Sequence, residues 1–225
     1  MELREAFVKR KGRFKLLELS LEAADFPKAA PLLEVGCATG EGSAHLAELG
    51  YTCVTGVDID AEAIAQAREK FPGVSFVCAD ARHLPFADGA FEGIISEAAF
   101  SVIDGKAEAA REYARVLAPG GLALLHDFAA AAESAHTQPG IPCLDGVQSM
   151  EGYRAVFEAA GFECVCESEE YGEYIGIAMS LGKAYGVPPT EVGKYIVSAF
   201  GRDGYVADFF AHTRLTYCRM LFKRK

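Results

Sequence analysis

Leu32-Leu33-Glu34-Val35-Gly36-Cys37-Ala38-Thr39-Gly40 joins an apolar run to an acidic residue and then to a glycine turn. An amphipathic segment follows over residues 41–49. That is the layout of a first β-strand handing the chain to a helix through a tight loop. Glycines let the backbone approach a ligand closely, and the start of a helix offers unpaired N–H groups. The loop is therefore a place to hold a nucleotide-like cofactor. A glycine-rich turn after a strand also occurs as plain turn chemistry, so the next strands carry the decision.

Tyr51-Thr52-Cys53-Val54-Thr55-Gly56-Val57-Asp58 reads as a second buried strand ending in an acid. A carboxylate roughly 20 residues beyond a glycine turn is where a doubly wound fold grips ribose hydroxyls. Val74-Ser75-Phe76-Val77-Cys78-Ala79-Asp80 is a third strand of the same kind. Glu34, Asp58 and Asp80 thus reach one sheet edge, the carboxyl ends of the strands, where open α/β sheets bind ligands.

Strands near 32–35, 52–57, 74–78, 92–96 and 122–126 alternate with helices near 41–49, 61–70 and 105–117. Such alternation implies right-handed crossovers and a parallel sheet. Pro119-Gly120-Gly121 forms a turn before the fifth strand, and residues 129–148 read as a loop near the site. A helix over 149–160 and a strand over 162–167 follow, with a last strand over 215–222. Residues 2–25 read as two helical pieces with Phe7, Phe14, Leu17 and Leu21 as their apolar stripe, ended by Pro27 and Pro31.

Residues 34–40, Gly56-Val57-Asp58-Ile59-Asp60, Asp80-Ala81-Arg82-His83-Leu84-Pro85-Phe86-Ala87-Asp88, Phe91-Glu92-Gly93-Ile94-Ile95 and Arg115-Val116-Leu117-Ala118-Pro119-Gly120-Gly121 stand in order along the chain. Together they resemble a class I S-adenosylmethionine-dependent methyltransferase of the small-molecule type related to quinone-biosynthesis methyltransferases. The resemblance is close over about residues 31–127 and looser through 149–166. It implies a Rossmann-like three-layer α/β/α fold with a seven-stranded, mostly parallel sheet and an antiparallel last strand. It implies S-adenosyl-L-methionine as cofactor. Glu34 with Gly36, Cys37, Ala38 and Gly40 would hold its methionine moiety. Asp58 would accept the ribose hydroxyls, Ile59 would pack on the adenine, and Asp80 would accept from the adenine amino group beside the Ala81 N–H. Asp80 also reads as a cap on the next turn, and Asp60 as the N-cap of the helix over 61–70. Ala38 departs from the glycine usual at its position, a change that is tolerable if its φ is negative.

The whole chain reads as one methyltransferase domain: a helical cap over 1–30, a cofactor-binding core over 31–168, a helical insertion or lid over 169–213 and a final strand over 214–225. In the insertion, Tyr171, Tyr174, Ile175, Ala178 and Met179 recur at helical spacing, as do Val192, Tyr195, Ile196 and Phe200. This segment reads as a lid or a subunit contact, which makes a homodimer one expectation; ordinary core is the other.

A net charge of −10 argues against nucleic acid, whose binding needs a basic face. Lys9-Arg10-Lys11-Gly12-Arg13 is locally basic. It reads either as solvated helix ends or as a rim that attracts an anionic small substrate. No apolar run approaches the roughly 20 residues of a membrane span, and the charged start, Met1-Glu2-Leu3-Arg4-Glu5, has no signal character. The seven cysteines read as reduced thiols of a cytoplasmic protein. Strand alternation would put Cys164 and Cys166 on one face, but their spacing is not that of a zinc site, and no metal is expected.

Methyl transfer from a sulfonium chiefly requires alignment and exclusion of water. A base serves where the acceptor must lose a proton. Glu97, His126 and Asp127, at the ends of the fourth and fifth strands, are the candidates, with His126 and Asp127 both expected to face the pocket mouth. A histidine at a strand end is nevertheless more often packed than catalytic. Ser96-Glu97-Ala98-Ala99-Phe100 lacks the Asn/Asp-Pro-Pro-aromatic signature of amino-directed nucleic-acid methyltransferases, and Pro142-Cys143 follows the wrong strand for a cytosine-C5 enzyme. The leading function is methyl transfer to a small-molecule acceptor. The alternative is a non-catalytic protein that binds S-adenosylmethionine or S-adenosylhomocysteine as a regulator or partner subunit. Asp80 and Leu84-Pro85-Phe86 speak against a nicotinamide dehydrogenase.

Overall fold

The computed structural model describes residues 10, 12–130, 145–193, 195 and 213–225. Its sheet contains β1 (Pro31–Val35), β2 (Cys53–Asp58), β3 (Ser75–Cys78), β4 (Phe91–Glu97), β5 (Leu117–Ala130), β6 (Phe162–Glu169) and β7 (Leu215–Arg224). The helices are α1 (Lys15–Ala24), α2 (Glu41–Glu48), α3 (Ala61–Lys70), α4 (Lys106–Val116), α5 (Met150–Ala159) and α6 (Tyr171–Tyr185). Strand order is β3-β2-β1-β4-β5-β7-β6, with only β7 antiparallel to its neighbours. From β1 the chain winds outward through β2 and β3, then returns to β4 on the other flank. The β1/β4 boundary is therefore the switch point, where crevices open at the strands' carboxyl ends.

Strand periodicity assigns every residue to a face. Leu32 and Ile95 pack with Leu17, Leu21 and Leu46 of α1 and α2. Leu33, Val35, Ile94 and Leu125 pack on the other face with Tyr113 of α4 and Phe157 of α5. Phe157 stacks on Phe222 of β7 at 4.1 Å, closing that layer. Each fully buried aromatic or aliphatic side chain of this kind contributes about 1.5–3 kcal/mol.

Several elements differ from the sequence expectations. The first helical piece and Phe7 lie outside the described residues. Helix α1 stops at Asp25, which takes a left-handed C-cap (φ 50°) and donates its N–H to Leu21, while Pro31 opens β1. Strand β5 is longer than expected because β7 covers it continuously from Leu122 to Ala130. The Pro119-Gly120-Gly121 turn appears as an irregularity within it: Leu117 opposes Phe91 and Leu122 opposes Gly93. A bulge in β6 pairs Cys164 with Phe222 and Cys166 with Leu221. Consecutive partners point to opposite faces, so the two cysteines do not share one. In α6, Ile177 and Leu181 pack on Leu16 and Tyr217, whereas Tyr171, Ile175 and Met179 are exposed. Ile196 and Phe200 lie outside the described residues, as do Pro142 and Cys143.

Candidate active site

After Val35 the chain turns through Gly36 (φ 79°), and the N–H groups of Gly36 and Cys37 both donate to the Val57 carbonyl, at 2.8 and 3.0 Å. This ties the loop to the end of β2. A Cβ on Gly36 would meet Ala99 at 2.2 Å, and one on Gly40 would meet Phe76 at 2.6 Å. Gly40 (φ 86°) is the N-cap of α2. Ala38 sits at φ 51°, so the negative φ that would have suited an alanine is not what the loop adopts. A left-handed non-glycine residue costs about 1–2 kcal/mol. The bend aims the Ala38 N–H at Asp58 Oδ2, 2.8 Å away.

Glu34 is buried on the α1/α2 face of β1. Ser43 Oγ of α2 donates to its Oε2 at 2.5 Å. A Cβ on Gly42 would come within 2.0 Å of Glu34 Oε1. The first turn of α2 therefore rests directly on the carboxylate, and only glycine fits there. Burial pushes the Glu34 carboxyl up to about 7 against the opposing pull of Ser43 and of Arg13. The sequence reading missed Gly42 and Ser43. The available signal was a glycine and a serine, both poor helix formers, in the first turn of a helix.

Register steps the three acids along the sheet edge. Glu34 lies opposite Gly56, and Asp58 lies opposite Cys78, two residues before Asp80. Asp58 accepts from the N–H of Ala38 and, at Oδ1, from that of Asp60 at 3.0 Å. Asp60 caps α3 through Glu62 and Ala63. Ile59 projects beside Asp58 as a large apolar side chain with 67% of its surface exposed. Asp80 is clamped by Arg82, which donates Nη2 to Oδ2 at 2.6 Å and its backbone N–H to Oδ1 at 2.9 Å. The Arg82 guanidinium holds the Asp80 carboxyl down at about 2. Ala81 lies between them, half-buried. Asp80 thus does cap its own turn, while its carboxylate stays at the same edge as Asp58.

Glu97 ends β4 on the same face as Glu34. Its side chain is 5% exposed, Arg10 Nη2 lies 3.6 Å from Oε1, and Oε2 has no hydrogen-bond partner. Burial raises its carboxyl, while Arg13 and Arg10 oppose the rise. Arg10 is bound at 2.8 Å by Glu173 of α6. Arg13 lies over the Phe14 ring, which stacks on His45 of α2, and its Nε and Nη1 are buried without partners. Arg10 and the Nε and Nη1 atoms of Arg13 are therefore turned inward, while Gly12 between them is exposed.

His126 lies opposite Glu97 in register, and its Nε2 contacts Ser20 Oγ at 2.8 Å. Burial pushes it down to about 3, so the ring is neutral. Asp127 points to the other face, where it accepts from the N–H of Ser101 at 2.8 Å and of Phe128 at 2.7 Å. The expectation that both residues face the pocket mouth fails, because adjacent strand residues point to opposite faces.

Residues 33–125 match the family model described as "Methyltransferase domain". Over those residues the chain is similar to methyltransferase domains. The resemblance read from the sequence stands with this match, as do the enzyme class and the cofactor: a methyltransferase that uses S-adenosylmethionine. Among relatives, a demethylmenaquinone methyltransferase of Chlorobaculum parvum is 34% identical over 94 residues, covering 42% of this chain and 39% of that protein. The chain thus spans well under two thirds of that relative's length. The solved structure of the [4+2]-cyclase SpnF superposes with a TM-score of 0.74 at 23% identity, covering 94% of this chain and 80% of that one. The Haemonchus contortus phosphoethanolamine N-methyltransferase 2, solved with S-adenosylhomocysteine, gives a TM-score of 0.73 at 16% identity over 93% of this chain and 52% of that one. At these identities both likenesses bear on the fold alone. Among the described residues, no helix is long and apolar enough to cross a membrane.

Proposed function

We propose that this protein transfers the methyl group of S-adenosylmethionine to a small-molecule acceptor. The observation that carries the reading is the row Glu34, Asp58 and Asp80 along the carboxyl ends of β1, β2 and β3, beside a loop whose bend brings backbone N–H groups to the same edge. In this reading Glu34 and residues 36–40 receive the methionine end of the cofactor. Asp58 keeps lone pairs for the ribose hydroxyls, exposed Ile59 covers the adenine, and Asp80 with the Ala81 N–H meets its polar edge. The bound cofactor supplies an activated methyl group on a sulfonium. The chain's own residues position the acceptor and exclude water around that group.

Of the three catalytic candidates, Glu97 fits an acceptor-side role best. It shares a face with Glu34 on the neighbouring strand, and one of its oxygens is free to accept a proton from an acceptor O–H or N–H. His126 and Asp127 read as structural. A small acceptor is favoured because α1 and α6 cover this face and because the net charge of −10 suits no polyanion. The demethylmenaquinone relative acts on a small molecule by its name, whereas the cyclase likeness shows that fold alone does not fix a reaction. The six described cysteines are free thiols, the form kept in a reducing compartment, and we read the protein as cytoplasmic.

The test is incubation of the purified protein with methyl-labelled S-adenosylmethionine and panels of phenols, quinols, amines and carboxylic acids. Label transfer accompanied by stoichiometric S-adenosylhomocysteine supports the reading. Tight cofactor binding with no transfer to any acceptor would favour the regulator or partner-subunit alternative.

A further inference from the structure

Arg10 and Glu173 both lie outside the matched residues 33–125, yet they meet at the end of β4. Arg10 donates Nε and Nη2 to a single oxygen of Glu173, Oε1, at 3.1 and 2.8 Å. The same Nη2 stands 3.6 Å from Glu97 Oε1, near enough to feel its charge and beyond hydrogen-bond reach. Glu97 Oε2 is buried and unpartnered among the described residues. The three side chains thus form a row, carboxylate, guanidinium and carboxylate, with the close contacts on the Glu173 side.

That side is firmly held. Glu173 belongs to the first turn of α6. Glu170, just before the helix, donates its N–H to the Tyr217 carbonyl and accepts at Oε1 from Ser168 and Arg219. Ile177 and Leu181 pack α6 against Leu16 of α1 and Tyr217 of β7. Arg10 shortly precedes α1, so the packing of α1 on α6 brings it to Glu173.

A guanidinium beside one buried carboxylate closes on it as a bidentate pair, and a carboxylate so held is a weak base with no oxygen left for a ligand. Glu97 escapes this because Glu173 takes the donors of Arg10. The other groups bearing on Glu97 are Arg13 before α1, Glu34 of β1 and His45 of α2. His126 beside it on β5 is neutral, the Tyr217 hydroxyl of β7 donates to the His126 carbonyl, and Arg219 is bound by Ser168 and Glu170.

We propose that Glu173 is a positioning residue for Glu97: it draws Arg10 aside, so that Glu97 Oε2 stays free to take the acceptor's proton as the acceptor bonds the methyl carbon and the carbon–sulfur bond breaks. Arg10 meanwhile balances the buried negative charge. This rests on the reading of Glu97 given above. It gives the first turn of α6, a segment whose sequence reads as a lid or subunit contact, a part in the acceptor side of the site.

The test needs no acceptor. Protein carrying glutamate labelled with carbon-13 at the side-chain carboxyl is titrated with pH by NMR, and the Glu97 signal is the one missing from Glu97→Gln. Glu173→Gln should move its midpoint to lower pH, because Arg10 swings onto Glu97. Arg10→Met should move it to higher pH, because the cation is gone, and Arg10→Lys should undo most of that rise. In the Arg10→Met background Glu173→Gln should have a smaller effect than alone, since Glu173 acts through Arg10. Thermal melts check that each variant folds. Opposite shifts in the two single variants uphold the assignment. Midpoints that move the same way, or stay put, overturn it and leave methyl transfer untouched. A protein that passes labelled methyl to none of the acceptors would instead overturn the reading on which it rests.

Discussion

Glu97 and Asp127 end neighbouring strands, both are buried, and burial raises the carboxyl of each. What differs is how their oxygens are used. Asp127 spends both on backbone N–H groups, of Ser101 and Phe128, and so stitches the turn after β4 to β5. Glu97 has one oxygen 3.6 Å from an arginine and the other bonded to nothing. A buried carboxylate whose bonds are complete reports on folding. One whose bonds are incomplete, beside a switch point, is on our proposal available to a ligand. The same contrast separates the faces: the α4/α5 layer is aromatic and closed, and the α1/α2 layer holds Glu34, Glu97 and Arg13.

The sharpest way to break this comparison is to delete each carboxylate. Asp127→Ala strands two buried N–H groups and should destabilise the protein by about 3–5 kcal/mol, read as a fall in the denaturation midpoint. Glu97→Gln should change stability by about 1 kcal/mol or less, because a neutral amide is cheaper to bury than a carboxylate, yet should abolish most methyl transfer. Equal losses of stability in the two variants would erase the distinction.

A somewhat smaller effect should appear in pH dependence. Glu34 holds its proton to about 7 when folded, against an ordinary 4.5. Folding therefore favours the protonated form, whose contribution is present below pH 4.5 and lost as the pH rises through about 7. The decline should be about 3 kcal/mol at most, flattened in Glu34→Gln, and measurable by urea titration at successive pH values. Asp127, raised to about 6, and Glu97 shift in the same direction while buried neutral His126 opposes them, so Glu34→Gln should reduce the decline without leaving a slope that belongs to one group. The smallest effect is expected in the loop. Ala38→Gly should relieve a left-handed alanine and raise stability by about 1 kcal/mol, leaving cofactor affinity unchanged or improved.

Much of this was legible in the chain because the informative features are local. The run 32–40, the acids closing β2 and β3, and the Asp60 cap are set by spacing within one turn or one strand. The opposite facing of His126 and Asp127 was also legible from the two-residue strand period, and was misjudged by attending to position along the strand alone. Other features depend on contacts that spacing does not encode. The bulge that separates Cys164 from Cys166 arises in pairing with β7. The positive φ of Ala38 follows from the loop's anchoring to Val57 and Asp58. Arg10 is buried by Glu173, far along the sequence.

The central claim is that the acidic edge of β1, β2 and β3 holds S-adenosylmethionine, and Asp58 tests it most directly because, among the described residues, its side chain is bonded only to nearby backbone N–H groups. Calorimetric titration with S-adenosylhomocysteine should show micromolar binding by the unaltered protein and at least about 10-fold weaker binding by Asp58→Ala, with little change in melting temperature. Equal affinity in the two proteins, or no binding by either, would contradict the account.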